Sequence, residues 1–566
     1  MTGDLLVRGG ALVDGTGAPS RPADVRVRAG TIVEVGADLE ADGETVVDAD
    51  GAYVAPGFID CHTHYDPSLW WDPLVDPMPQ HGVTTVVTGN CSLSLTPVRA
   101  PDRIAASDVF GFIEDIPVDA FTTGIPWTWE SYAEWHDALA AHGTAVNVAA
   151  LVGHSNLRVY VMGDDAWHRA ATADERAELA SVLADSLAAG ALGLSTSFID
   201  QDRHGNPVPS RAADDDELRA LIDVLGSAPA HPRVLEFLPW IKETERQLVD
   251  IDRVARWCGA AGISCTWNQL AQNSRDPSRA QRIVEQAHAL HADGCRVYAQ
   301  VSPRPFNLNV SFDQTPAFVA VPAWGELIQL GPDDKRRTLV DAEWRARARS
   351  DWDRVGDGFT IFPVSRIDRV RLTSVPAGEE RFLGATLADV VADRGGHPSD
   401  VLADWVLVND LAPGMTAEAL SNNDAAKVSE LIADPTTVVG ASDAGAHLQM
   451  MCGAGDSTLL LTEHVRDRSD LTVEAGVHQL TGRIAEAFGI RDRGVVQAGR
   501  AGDLVVFALD ELAYAPEMFV HDLPGGAPRL TRPAGGFRVT AVNGVITQAD
   551  GRATGARPTG PLHAGS

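Results

Sequence analysis

Lysine is almost missing from this chain of 566 residues: Lys242, Lys335 and Lys427 are the only three, and nearly all of the positive charge is arginine. A carbamylated lysine bridging two metal ions therefore has few places to come from. Positive charge is itself in short supply. Lysine and arginine total 46 against 78 aspartates and glutamates, a formal net charge of −32. Phosphate would be repelled by such a surface, which excludes a broad face for nucleic acid or an anionic membrane but not a small anionic substrate. The six cysteines (Cys61, Cys91, Cys258, Cys265, Cys295, Cys452) show no CxxC spacing, so neither a zinc-finger pattern nor a disulfide framework is indicated. Long apolar runs are absent: none approaches the ~20 residues of a membrane helix. No basic segment followed by an apolar one comes after Met1, so no signal peptide is expected and a cytoplasmic location is. What remains is an ordinary globular composition, 45% hydrophobic and 22% charged, long enough for one large core and an accessory domain.

The stretch on which the rest turns is Ala55-Pro56-Gly57-Phe58-Ile59-Asp60-Cys61-His62-Thr63-His64. A Pro-Gly break leads into a short apolar run ending in two histidines one residue apart. In extended backbone, side chains at i and i+2 leave on the same face, so His62 and His64 can share one metal ion. Further apolar, β-rich runs follow at 84–88, 146–152, 191–195, 233–238, 262–267, 296–301 and 437–442, with helical stretches such as 173–189 and 279–292 between them. Eight strands alternating with helices predict an α/β fold, a TIM-like (β/α)8 barrel over 56–490 whose functional groups gather at the C-terminal strand ends. A doubly wound open sheet is the alternative, but it does not account for polar residues after nearly every run. Short strands before residue 55 and over 491–550 predict a small β-sandwich domain built by both termini. The long connection at about 303–436 predicts a lid or subdomain over the mouth. The Gly-, Pro- and Ala-rich tail at 551–566 is expected to be loosely ordered.

The first-strand stretch resembles the signature of the amidohydrolase superfamily. Gly82–Cys91, Val152–Arg158, Gly190–Thr196, Ser442-Asp443, Arg491–Gly494 and Ala501–Phe507 narrow the resemblance to its N-acyl-D-amino-acid deacylase (D-aminoacylase) branch. The resemblance implies metal ligation by His62, His64 and Cys91. It also implies that Asp443 joins the metal site and handles the proton of the attacking water. Zinc, as one or two ions, is the implied cofactor, with another divalent metal as the variant. A small-molecule amide is the implied substrate, its C–N bond hydrolysed by a metal-activated water. Hydrolysis of a cyclic amide or imide by the same residues, and an inactive barrel with a binding role, are the alternatives. No nucleic-acid or membrane partner is expected, and a homo-oligomer is left open.

The sequence also departs from the family pattern. The run at 233–238 carries Glu236 and no histidine at its end, Asn268 stands where the sixth strand is expected to offer one, and strand four has no lysine. The arginine clamp downstream of the aspartate is not evident in Leu448–Cys452. For substrate binding the candidates are His154, which would orient substrate, and Arg158 and Arg304, whose guanidinium forks match a carboxylate. Ser302, by resemblance a hydroxyl for that carboxylate, and His447, four residues beyond Asp443, complete the set.

Overall fold

The computed structural model describes residues 3–228, 233–273, 276–310, 312, 316–355 and 362–563. Eight parallel strands form the central sheet, in the order of the chain: Phe58–Asp60, Val83–Thr88, Asn147–Gly153, Gly193–Ser197, Val234–Leu238, Ser264–Trp267, Val297–Val301 and Thr437–Val439. The sheet curls until its ends meet. Thr63 bridges Ala444 in parallel, His64 N–H donates to Ala444 O at 2.9 Å, and the Cys61 thiol reaches Val439 O at 3.3 Å. Helices such as Ala173–Ala188, Asp215–Ser227, Thr244–Ala261 and Pro277–Ala292 cover it, and strands buried along their whole length read as near-continuous apolar runs for that reason. Strand eight ends at Val439 and not at 442, because Ala441 and Asp443 take positive φ (54° and 52°) and turn the chain out of extended backbone.

The terminal segments share a nine-stranded sheet. Its seam is the antiparallel pairing of Tyr53–Pro56 with Leu504–Phe507. Leu5–Leu12 carries a register shift between Val7 and Gly10, so its first half pairs with Thr45–Asp48 and its last residues with Tyr53–Pro56. Gly9, at φ 71°, supplies the backbone shape that this bulge needs. Leu5, Val25, Val54, Leu504 and Ala541 pack into one core beneath it.

The long connection after strand seven has its own core, centred on Trp324, Trp344, Phe318 and Trp405. Helices Ala342–Val355 and Pro398–Val408 and a three-stranded sheet enclose it. Met450 and Met451, a short way past Asp443, belong to the same core. Asn422 ties the base of the segment to the C-terminal ends of strands six and seven, accepting from Gln272 N–H at 2.8 Å and donating to Ser302 O at 3.0 Å. The end of the chain is held where composition suggested looseness: Thr144 N–H donates to Thr559 O, and Leu562 N–H to Val148 O. Open hydrogen-bonding positions beside strand three give an apolar, proline-rich segment a partner that its composition cannot reveal. Among the described residues, no helix is long and apolar enough to cross a membrane.

Candidate metal centre at the barrel mouth

The strand-one pair leaves the barrel floor as its spacing requires, both imidazoles buried, His62 at 0% and His64 at 2% exposure. Opposite them the loop after strand two presents Cys91. Gly89 opens that loop at φ 77°, and a Cβ there would stand 2.2 Å from Leu151 O, so only glycine fits. Cys91 and Ser92 also hold positive φ (54° and 69°). What fixes this backbone is a set of hydrogen bonds from neighbouring strands. Asn90 Nδ2 donates to Thr63 O at 3.2 Å, Cys91 N–H to Glu236 Oε2 at 2.9 Å, and Ser92 N–H to Ser195 Oγ at 3.0 Å.

His62 Nε2 then lies 3.4 Å from Cys91 Sγ and 3.3 Å from Asp443 Oδ1, with His64 Nε2 3.9 Å from the same carboxylate oxygen. The ligating atoms of His62, His64 and Cys91 all fall within 4.8 Å of one another. Two ligands at about 2.0–2.3 Å from one tetrahedral zinc are separated by about 3.3–3.6 Å, so the spacings of His62 to Cys91 and Asp443 fit a shared ion. The electrostatics fit as well. Burial lowers both histidines, His64 to about 3, which keeps them as the neutral imidazoles that metals bind. Burial pushes the Cys91 thiol well up, and it pushes Glu236 to about 8. Burial would also raise Asp443, but His62, His64, His447 and Arg304 together hold it below the usual carboxylate range. A pocket that resists ionising its thiol and its glutamate is one in which a divalent cation has the most to offer.

Strands five and six contribute without histidines. Glu236 points inward, but its Oε2 accepts from the Cys91 backbone and its Oε1 has no hydrogen-bond partner. Asn268 donates from Nδ2 to Cys91 Sγ. Glu114, in the turn after helix Arg103–Ile113, was not singled out by the sequence: its Oε1 is 3.3 Å from His64 Nδ1 and its Oε2 3.8 Å from His447 Nε2. His447 thus stands beside the cluster, a fifth of its side chain exposed.

The other candidates are engaged elsewhere. His154 places Nδ1 3.0 Å from Thr196 Oγ1 and Nε2 2.9 Å from Glu217 Oε1, while Arg158 pairs with Glu217 and donates to Ala166 O and Arg169 O. Thr196 alternates with Ser195, whose hydroxyl is at the Cys91 loop, so His154 faces outward to the helices. The structure brings neither His154 nor Arg158 to the cluster. A strand's end does not by itself decide whether the next residue turns to the barrel axis or to the helical layer. Arg304 binds Asp456 Oδ1 at 2.6 Å and Ser442 O at 2.8 Å, and Ser302 Oγ donates to Asp456 Oδ2 at 3.0 Å. Arg304 braces the backbone that carries Asp443, Ser302 holds the Asp456 carboxylate beside it, and neither presents an open fork or hydroxyl to a substrate carboxylate.

Over most of its length the chain is similar to known proteins. The model of the amidohydrolase family matches residues 45–320 and 386–551. An uncharacterised protein of Mycobacterium tuberculosis is 31% identical over 531 residues, covering 89% of this chain and 84% of its own. An N-acyl-D-aspartate deacylase of Alcaligenes xylosoxydans xylosoxydans is 30% identical over 517 residues, 89% of this chain and 85% of its own. Among solved structures, N-acyl-D-glutamate deacylase from Bordetella bronchiseptica, complexed with zinc and a phosphonate inhibitor, superposes with a TM-score of 0.67. It is 26% identical, with both chains covered in full.

Proposed function

The chain belongs to the amidohydrolase family, and from that premise we propose that it hydrolyses the C–N bond of an N-acyl-D-amino acid or a related N-acyl compound. The observation that carries this reading is the convergence of Cys91 Sγ and Asp443 Oδ1 on His62 Nε2, at 3.4 and 3.3 Å. His62, His64, Cys91 and Asp443 are the residues that would hold zinc. Bound there, zinc supplies Lewis acidity, polarising the amide carbonyl and making a water acidic enough to lose its proton near neutral pH. The chain's own part is proton handling and exclusion of bulk solvent. Asp443 takes the proton of the water as its oxygen attacks the carbonyl carbon, then returns it to the nitrogen as the C–N bond breaks, leaving a carboxylate and an amine. Glu236 and Asn268 hold the Cys91 loop in position throughout. The net charge of −32 speaks against nucleic acid as a partner. The cyclic-amide alternative is not favoured, because relatives of matching length carry N-acyl-deacylase names.

Elemental analysis of purified protein, with Cys91→Ala and Asp443→Asn beside it, tests the reading. About one or two zinc per chain, reduced in Cys91→Ala, together with deacylation of N-acyl-D-amino acids that Asp443→Asn loses by ~100-fold or more, is the expected result. No metal after zinc supplementation, or no activity on any such substrate, overturns it.

A further inference from the structure

If the substrate carries a free carboxylate, something at the mouth must receive it, and the two arginines that the sequence offers for it are taken: Arg304 by Asp456 and Arg158 by Glu217. We propose that the rim between strands four and five is the subsite for that carboxylate, built from Lys242, Arg246, Arg211 and the Trp240 indole. This deepens the hydrolase reading above and rests on it.

Strand five ends at Leu238, and Pro239 turns the chain so that Trp240 stands at the rim. Three cations surround its ring: the Arg246 guanidinium 3.9 Å from the centroid, Lys242 Nζ at 5.5 Å and the Arg211 guanidinium at 5.6 Å. They come from three places, Arg211 from the turn Pro209–Ala212 after strand four, Lys242 from the loop after strand five, and Arg246 from the first turn of helix Thr244–Ala261. Like charges gathered on one ring repel one another: burial first, and then Arg211, disfavours the charged form of Lys242. Such a cluster is unexpected in so acidic a chain unless an anion relieves it.

The local acids relieve it only in part: Asp200 favours the charged forms of Arg211 and Lys242, yet burial and the neighbouring guanidiniums leave both below their ordinary values. Asp250 accepts from the Trp240 backbone N–H at 3.2 Å and pairs with Arg253 at 3.1 Å. Asp200 has one carboxylate oxygen, Oδ2, without a hydrogen-bond partner, and Arg211 donates to the Asp200 and Ile199 carbonyls, not to its side chain. Trp240 Nε1 is buried and also lacks an acceptor. Trp240 Nε1 and the three cations offer donors and positive charge, and what complements them is an acceptor-only ligand, a carboxylate. The rim belongs to the mouth that holds the metal centre: Trp240 follows Glu236 by four residues and Asp200 follows Ser195 by five, and both Glu236 and Ser195 accept from the Cys91 loop. Exposed Lys242 and Arg246 close the rim from solvent and carry discrimination between acids and neutral amides.

The test uses N-methylsulfonyl-D-leucine, a sulfonamide that cannot be deacylated, and its neutral carboxamide, each titrated calorimetrically into the zinc-loaded full chain. The acid is expected to bind ~10-fold or more tightly than the carboxamide. Lys242→Met and Arg246→Met should each weaken the acid by ~3- to 10-fold, and the double variant should abolish the preference, with carboxamide affinity within ~2-fold throughout. Both side chains are exposed, so melting curves should coincide with the parent's. Turnover of N-acetyl-D-leucine is followed in parallel. An acid preference without turnover supports the subsite while overturning the hydrolase reading. Equal binding of acid and carboxamide, no binding of either, or a preference that the variants leave intact overturns the subsite.

Discussion

Asn268 donates a hydrogen bond from Nδ2 to the sulfur of Cys91, across 3.3 Å. It occupies the sixth-strand position where a histidine was expected, and an amide there does different work. It steadies the sulfur as an acceptor while its own Oδ1 has no partner. Outer hydrogen bonds to metal ligands commonly govern affinity by ~10- to 100-fold. Asn268→Ala should therefore weaken zinc binding by at least ~10-fold in a competitive chelator titration, with the circular dichroism spectrum unchanged. Unaltered zinc affinity would show that the contact is packing alone.

Arg304 acts on Asp443 through the main chain. Its Nη2 holds Ser442 O at 2.8 Å while Nη1 binds Asp456. Arg304→Met should displace the carboxylate and lower kcat by ~10-fold or more, with KM for acidic substrates changed by less than ~3-fold. A rise in KM at constant kcat would instead make Arg304 a substrate contact.

Glu217 sits at the centre of a buried network with His154 and Arg158. Burial alone would raise its carboxyl, but the hydrogen bonds and charges of His154 and Arg158 hold it down to about 2. Because the folded value lies below the unfolded one of about 4.3, the stabilisation is complete above that pH and is lost as pH falls toward 2. Glu217→Gln should cost roughly 3 kcal/mol at pH 7. In urea unfolding the gap between parent and variant should narrow below about pH 4. A gap that is constant with pH would assign the cost to packing.

How much of the fold and of the centre is legible in the sequence differs residue by residue. The His62 and His64 arrangement is local geometry, two residues apart in a strand, and needs nothing distant to be read. The barrel strands are legible because full burial makes them continuous apolar runs. The sequence places strand four two residues early, at 191–195 and not Gly193–Ser197, since Gly190-Ala191-Leu192 is as apolar as the strand itself. Glu114 could not be found: nothing in Phe112-Ile113-Glu114-Asp115 distinguishes it, and its place beside His64 is purely tertiary. For Arg304 and Ser302 the chemistry is recognisable but the partner is not, because Asp456 lies more than 150 positions along the chain. The rim around Trp240 is legible only in part: Lys242 and Arg246 lie within six positions of the indole, but Arg211 joins them only when strand four pairs with strand five.

The seam between Tyr53–Pro56 and Leu504–Phe507 sets a timetable for synthesis. A nascent chain emerges from its N-terminus, so the first five strands of the outer sheet exist long before residue 504 does. Throughout that interval one edge of Tyr53–Pro56 presents unpaired amides and carbonyls, an invitation to the wrong neighbour. The outer sheet, first to begin, is among the last parts to be finished.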